Sequence, residues 1–319
     1  MKWYSKIFVF LSGLFILLET LVIPLFPNFN NFKKYGYFNN SMYDLLGEED
    51  NTIDAVFLGD SLIYASISPM LLWEKYGFTT YDCSISTQTM KETYDYLKIA
   101  IEKQHPKIAM FEADMLFRNP NSKGRKIKDF KKIRHFLPMY VIHNNWKKLL
   151  GGSDAWINYN KGYRYITTID SVKSKNYMKE NPKEKRTIQK ENIKYLKKII
   201  KLCESENIKL VIIANPSQKN WTYKKNKMIN EIADKYNLEF IDLNLIDLGI
   251  DWENDTKDKG IHLNIHGAVK VTNFIGEYLN NTNLMINHKN DSKYSKWDRA
   301  YELYKKYNVE SNKEKALKK

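Results

Sequence analysis

Five short apolar runs, each followed by a stretch with helical spacing, limit what this chain can fold into. The runs fall at 54–59, 79–84, 107–113, 208–214 and 238–242. Each has the length of a strand and ends at a turn signal such as Gly59-Asp60-Ser61 or Asn215-Pro216. Between them, Ser68-Pro69 opens a helix through Tyr76 that Gly77 closes. Met90, Tyr94, Leu97 and Ile101 mark an amphipathic helix over 88–104, stopped by His105-Pro106. Ile193, Leu196, Ile200 and Cys203 mark another over 188–206. Helices are also predicted over 127–150 and 221–236, and from Ile265 to Leu279 behind an Asn264 cap. Strands alternating with helices predict an α/β fold with a parallel sheet covered on both faces.

The first run, Ala55 to Leu58, passes directly into Gly59-Asp60-Ser61. Gly59 is expected to let the backbone turn sharply, leaving the Ser61 hydroxyl at the carboxyl end of a strand, where open α/β sheets carry their chemistry. Two hundred residues later stands His262-Leu263-Asn264, with Gly267 following. His262 is a base able to take a proton from a serine near neutral pH. Asp258 and Asp255 precede it, and either could orient the imidazole, in the chain order Ser…Asp…His. His266 reads as a helix-surface residue. Asp251, Glu253 and Asp255 have the spacing of a calcium loop, but Thr256 and His262 stand where glycine and glutamate are required. No motif for a metal or an organic cofactor is present.

Gly59-Asp60-Ser61 with a downstream Asp/His block resembles the SGNH (GDSL) hydrolase superfamily, over about residues 52–282. Ser84 to Thr89 stands where that superfamily carries its second block. The branch most similar in layout holds membrane-anchored envelope proteins such as DltD of teichoic-acid D-alanylation and the AlgJ/AlgX-type acetylation proteins. The resemblance implies a flavodoxin-like three-layer sandwich, Ser61 as nucleophile, His262 as base and Asp258 as the orienting acid, with Asp255 as the alternative. It also implies an oxyanion hole built from the Ser61 and Thr87 backbone N–H groups. The chain departs from the pattern in three places. Asp258 lies four residues before His262 rather than three, Thr87 stands where glycine is usual, and the third-block Asn is missing, the strand ending Phe111-Glu112-Ala113-Asp114. An ionised Asp114 would repel an oxyanion.

Residues 7–26 form a nearly continuous apolar run of 20, broken by Glu19 and preceded by Lys2 and Lys6. This reads as an uncleaved signal anchor with a cytoplasmic N-terminus over 1–27 and everything beyond it extracytoplasmic. A connector follows over 28–51, then the 52–282 domain, then a charged 283–319 segment expected to be a solvated helix or loose tail. The net charge of +14 is concentrated. Residues 118–187 hold 18 Lys/Arg against 5 Asp/Glu, whereas the remainder is balanced at 33 against 32. Such an insertion suits an anionic polymer or a membrane surface, and its Trp146, Trp156, Tyr159, Tyr163 and Tyr165 suit either sugar rings or packing onto the domain. The membrane run argues against nucleic acid as a partner. Cys83 and Cys203 fall in elements expected to be buried and are expected to stay unpaired. The combined expectation is a membrane-anchored acyltransferase or esterase acting on a cell-envelope polysaccharide, with a membrane acyl-donor protein as partner if it transfers. The alternative is a catalytically weak scaffold of the same fold that binds glycan or a membrane protein.

Overall fold

The computed structural model describes residues 2–22, 40–120, 150, 152–173, 176–178 and 187–312. They belong to two units, 1–47 with 123–157 and 48–122 with 158–319. In the first unit, helix α1 spans Lys2–Val22 and α2 spans Asn40–Leu46. The apolar side chains of α1 are exposed, Phe8, Phe10 and Ile16 each by more than 60%. Among the described residues no helix is long and apolar enough to cross a membrane. The final four residues of the 7–26 run, the first half of the 28–51 connector and, apart from Leu150, the helix expected at 127–150 lie outside the described residues.

The second unit is built on five parallel strands: β1 Ala55–Gly59, β2 Thr80–Ser84, β3 Ile108–Glu112, β4 Lys209–Ala214 and β5 Glu239–Asp242. Their order is β2-β1-β3-β4-β5. Register runs Leu58 opposite Cys83 on one side and Phe111 on the other. Every residue of β1, β2 and β3 is buried, as expected where helices cover both faces and no strand face meets water. Each fully buried Val, Ile, Leu or Phe contributes about 1.5–3 kcal/mol. One covering layer includes Ile67, Leu72, Val271 and Ile275, packed with Phe57 and Met110 of the sheet.

Helix α3 spans Ser61–Tyr64, α4 Pro69–Tyr76, α5 Met90–Gln104, α6 Lys190–Ser205, α7 Tyr223–Tyr236, α8 Ile265–Asn281 and α9 Ser295–Tyr304. A reciprocal capping box starts α5: Thr89 Oγ1 accepts from Glu92 N, and Thr89 N donates to Glu92 Oε2. His105 ends that helix in the left-handed region at φ 47°. The buried stripes of α5 and α6 are rotated slightly from the expected ones. Thr93 and Tyr96 are buried on α5 where Tyr94 was expected, and Asn192 is buried on α6 where Ile193 was expected. In both helices a polar residue holds a core position because it finds a partner there.

The segment expected to be a solvated tail is instead anchored as far as the described residues reach. Helix α9 buries Trp297, Ala300, Leu303 and Tyr304. Trp297 packs on Trp73 with ring centroids 5.6 Å apart, and Ser68 Oγ donates to the Tyr304 hydroxyl at 3.5 Å. Its anchors recur at helical spacing but fill only one ten-residue helix in a charged segment. Cys83 and Cys203 are buried free thiols, and burial raises both, Cys203 to about 12.

Candidate active site

Three carboxyl ends of strands and one loop converge on the site. Ser61 is the first residue of α3, directly after β1. Gly59, two residues earlier, has no left-handed φ, so the expected sharp turn is not its reason. A Cβ there would lie 2.5 Å from Ile63 Cγ1 and 2.8 Å from Glu112 Cβ. Glycine is required for close approach, which brings α3 and the end of β3 against β1. Asp60 caps α3, its Oδ1 accepting from Leu62 N at 3.0 Å.

His262 sits in the loop before α8. Its Nε2 lies 2.7 Å from Ser61 Oγ and its Nδ1 2.6 Å from Asp258 Oδ2. Asp258 Oδ1 also accepts the His262 backbone N–H at 2.7 Å. An ionised carboxylate only accepts, so Nδ1 carries the proton and Nε2 is left to accept from the Ser61 hydroxyl. The extra residue between Asp258 and His262 is absorbed in a turn. Lys259 has φ 58° and Gly260 φ 86°, while Thr256 pairs with Leu263 in an antiparallel bridge beneath them. Asp255 lies elsewhere: its Oδ2 accepts from Asp251 N and Lys270 Nζ, both at 2.7 Å. Asp251 and Glu253 are likewise engaged in a turn, Asp251 Oδ1 accepting from Glu253 N.

Asn264 both caps α8 and steadies the loop. Its Oδ1 accepts from His266 N at 3.0 Å, and its Nδ2 donates to Asn254 O at 2.7 Å. Gly267 is explained by the same geometry, since a Cβ would lie 2.8 Å from the Asp255 carbonyl. His266 is exposed. An extended strap over 161–173 joins the two halves of the site. Arg164 N donates to Tyr64 O, at the end of α3, at 2.8 Å, Ile265 N donates to Ile166 O at 2.7 Å, and Lys259 N donates to Asp170 O at 2.9 Å.

Thr87 follows β2 with φ 55°. A β-branched residue in the left-handed region costs on the order of 1–3 kcal/mol, which explains why glycine is natural there and why threonine is tolerated only if the backbone direction matters. Neither the Ser61 nor the Thr87 N–H donates to an acceptor among the described residues. Both therefore remain able to serve an incoming oxygen.

The end of β3 carries a buried charge cluster that the sequence did not disclose. Asp114 Oδ1 accepts from Lys225 Nζ at 2.6 Å, and its Oδ2 lies 3.5 Å from Arg118 Nη2. Arg118 Nη2 also pairs with Asp60 Oδ2. Lys225 and Asp60 are wholly buried. Burial raises Asp60 from its ordinary value, with Arg118 pulling the other way. Glu112 is pushed by burial to about 8, against the hydrogen bond from Asn215 Nδ2 to its Oε2 at 2.6 Å. Asn192 Nδ2 donates to the carbonyls of Met115, Leu116 and Arg118, holding this turn from α6. Lys225 occupies the inward stripe of α7 with Ile229, Ile232 and Ala233; a lysine in an apolar stripe is the one local signal that could have found it. Arg118, four residues past Asp114, was counted with the basic insertion.

A cleft of about 400 Å³ opens beside this cluster, lined by Thr87, Asp114, Arg118, Asn192 and Asn220. Within the insertion, Lys161 is buried and its Nζ reaches both carboxylate oxygens of Glu48 at 2.7 Å. Tyr163 is buried, and Tyr165 lies edge-on to Tyr304 at 5.8 Å. These residues pack rather than offer a docking face. Residues 121–149, including Trp146, and the side chain of Trp156 lie outside what is described.

No family model matches the chain, and no curated protein does. Among solved structures, the chain is similar to the psychrotrophic esterase EstA of a Pseudoalteromonas species, at 14% identity, covering 72% of this chain and 97% of that one, with a TM-score of 0.38. It is similar to a lipase/acylhydrolase from Enterococcus faecalis at 13% identity, 74% and 98% coverage and a TM-score of 0.37. A GDSL-like lipase from Bacteroides thetaiotaomicron matches at 9% identity, 72% and 88% coverage and a TM-score of 0.38. What this site can do is therefore argued from its own geometry: a serine hydroxyl, an imidazole and a carboxylate in one hydrogen-bonded line at the carboxyl edge of a parallel sheet.

Proposed function

We propose that this chain is an acyl-ester enzyme of the SGNH type, with Ser61 as nucleophile, His262 as general base and Asp258 holding the imidazole in the tautomer that accepts at Nε2. The observation that carries the reading is the continuous line from Ser61 Oγ to His262 Nε2 at 2.7 Å and from His262 Nδ1 to Asp258 Oδ2 at 2.6 Å. Attack on an acyl carbonyl would pass the serine proton to His262, and the oxyanion would meet the Ser61 and Thr87 N–H groups. The acyl group would then go to a glycan hydroxyl or to water. Its setting would be the outer face of a membrane, with a cell-envelope polysaccharide as substrate and a membrane acyl-donor protein as partner in the transfer case.

The test is hydrolysis of a chromogenic acetyl ester together with labelling by a serine-directed phosphonate, located by mass spectrometry. Ser61→Ala and His262→Ala should each lower turnover by at least about 10⁴-fold, and the double variant should be no worse than either, because groups that share one step are not additive. Turnover of Ser61→Ala within about tenfold of the parent would end the nucleophile claim, and a parent with neither turnover nor labelling would leave the scaffold reading. The anchoring proposal rests on the apolar 7–26 run and the exposed apolar side chains of α1. Its check is fractionation: the full chain should pellet with membranes and resist carbonate extraction, and release of a shortened protein into the medium would overturn it.

A further inference from the structure

Arg118 is held in an unusual position for a residue of a basic segment. Its Nη2 contacts Asp60, the neighbour of the nucleophile, and lies 3.5 Å from Asp114 Oδ2. Its carbonyl accepts from Asn192 Nδ2 at 2.8 Å, so the backbone is fixed as well. Asp114 is claimed on its other oxygen by Lys225 at 2.6 Å. The cluster thus sets two carboxylates against two cations. Glu112, raised to about 8, adds no charge near neutral pH. Arg118 is therefore already neutralised and is poorly suited to capture a separate anionic group.

It keeps spare donors, however. The Arg118 Nε–H is buried and finds no acceptor among the described residues. A guanidinium holds five N–H groups in a rigid plane and keeps its proton throughout the physiological range. A buried donor without a partner is unfavourable, a cost that a ligand oxygen would remove. Arg118 lines the cleft together with Thr87 and Asp114. Asp114, an acceptor already filled by two cations, offers no side-chain donor after β3.

We infer that Arg118 is a catalytic residue that donates to the oxyanion, supplying from a clamped guanidinium the side-chain donor that the end of β3 lacks. The inference rests on the acyl-ester reading. In the step it serves, Ser61 Oγ bonds to the acyl carbon and its proton passes to His262 Nε2. The carbonyl pair moves onto oxygen, which receives N–H bonds from Ser61, Thr87 and Arg118. Collapse re-forms the carbonyl, breaks the bond to the leaving alcohol and returns the proton from His262 to it. Asp60 and Asp114 are positioning residues for Arg118.

The experiment measures kcat and KM on the chromogenic acetyl ester, with thermal unfolding of each variant. Arg118→Ala should lower kcat by about 10²- to 10³-fold, the loss seen when one oxyanion donor is removed, with KM within about threefold. Arg118→Lys keeps the charge facing Asp60 and Asp114 but not the planar fork, and should remain at least about tenfold below the parent; it decides the matter if the alanine variant fails to fold. In the Arg118→Ala background, Asp114→Asn should recover at least about tenfold in kcat, because it restores an amide donor, whereas Asp114→Leu removes the same charge and should recover nothing. Equal recovery by leucine, full activity of the lysine variant, or a loss confined to KM would each overturn the inference. Ser61-dependent turnover that ignores Arg118 sinks this inference alone; a parent protein with neither turnover nor phosphonate labelling sinks the acyl-ester reading, and this inference with it.

Discussion

The two walls of the site solve opposite electrostatic problems. On the His262 side, the polar groups are partly open to water. Asp258 has a third of its side chain exposed, its partner is reached through one imidazole, and the loop is tied by backbone bonds to the 161–173 strap. On the β3 side, Asp60, Glu112, Asp114 and Lys225 are buried, and Lys225 and Arg118 balance Asp114 and Asp60 at close range. The first wall can change its protonation cheaply during a reaction. The second cannot, because removing one partner of a buried pair leaves an uncompensated charge at a cost of about 3–5 kcal/mol. A proton carrier thus belongs on the open wall and a fixed set of donors on the closed one.

The sharpest way to break that contrast is to neutralise the two acids offered for His262. Asp258→Asn should lower kcat by roughly 10²- to 10⁴-fold with little change in thermal stability, since the amide disturbs the imidazole tautomer at a partly exposed site. Asp255→Asn should do the reverse. It unbalances Lys270 and the turn at Asp251, so it should lower the unfolding temperature while kcat of the folded protein stays within about threefold. A kcat loss in Asp255→Asn exceeding that in Asp258→Asn would reassign the orienting acid.

The open wall is also the legible one. Ser61, His262 and Asn264 announce themselves through short local motifs, because a strand-to-helix turn and a helix cap need particular residues at fixed offsets, whereas the choice between Asp258 and Asp255 needed the folded loop. The five strands were readable for a related reason, being short apolar runs between turn residues, and their observed ends agree within a residue. The closed wall is assembled from α6, α7 and the turn after β3, whose residues are up to 111 apart in sequence. Pairing of Asp114 with Lys225 leaves no local pattern beyond a lysine on an apolar stripe. Arg118 was hidden by composition, since a basic neighbourhood makes any one arginine look like a surface residue. Gly59 was read correctly as necessary but for a conformational reason, when crowding against Ile63 and Glu112 is the actual one. The anchoring of 295–304 was missed because its stripe is short, three turns at most, and stands in a segment dominated by charged residues.

A smaller effect sharpens the contrast on the closed wall. Glu112 is raised from an ordinary glutamate value to about 8, chiefly by burial. A carboxyl whose folded value is raised holds its proton more tightly in the native state than in the unfolded chain. Its contribution to stability is therefore complete below the unfolded value, near 4.5, and is lost as pH rises through about 8. Between these limits the unfolded chain has given up a proton that the native protein retains, so unfolding free energy should fall with pH, by at most about 1.4 kcal/mol per unit from this group. Glu112→Gln cannot ionise and should flatten that part of the curve. Asn215 would still find an acceptor in the amide oxygen, so the variant should remain folded, and the measurement is urea unfolding from pH 5 to pH 8. No equivalent flattening is expected from Asp258→Asn, whose wall is open to water. An unchanged slope in Glu112→Gln would mean that Glu112 is ionised in the native protein, placing a further negative charge beside Asp60 and Asp114 and removing the balance on which the closed wall depends.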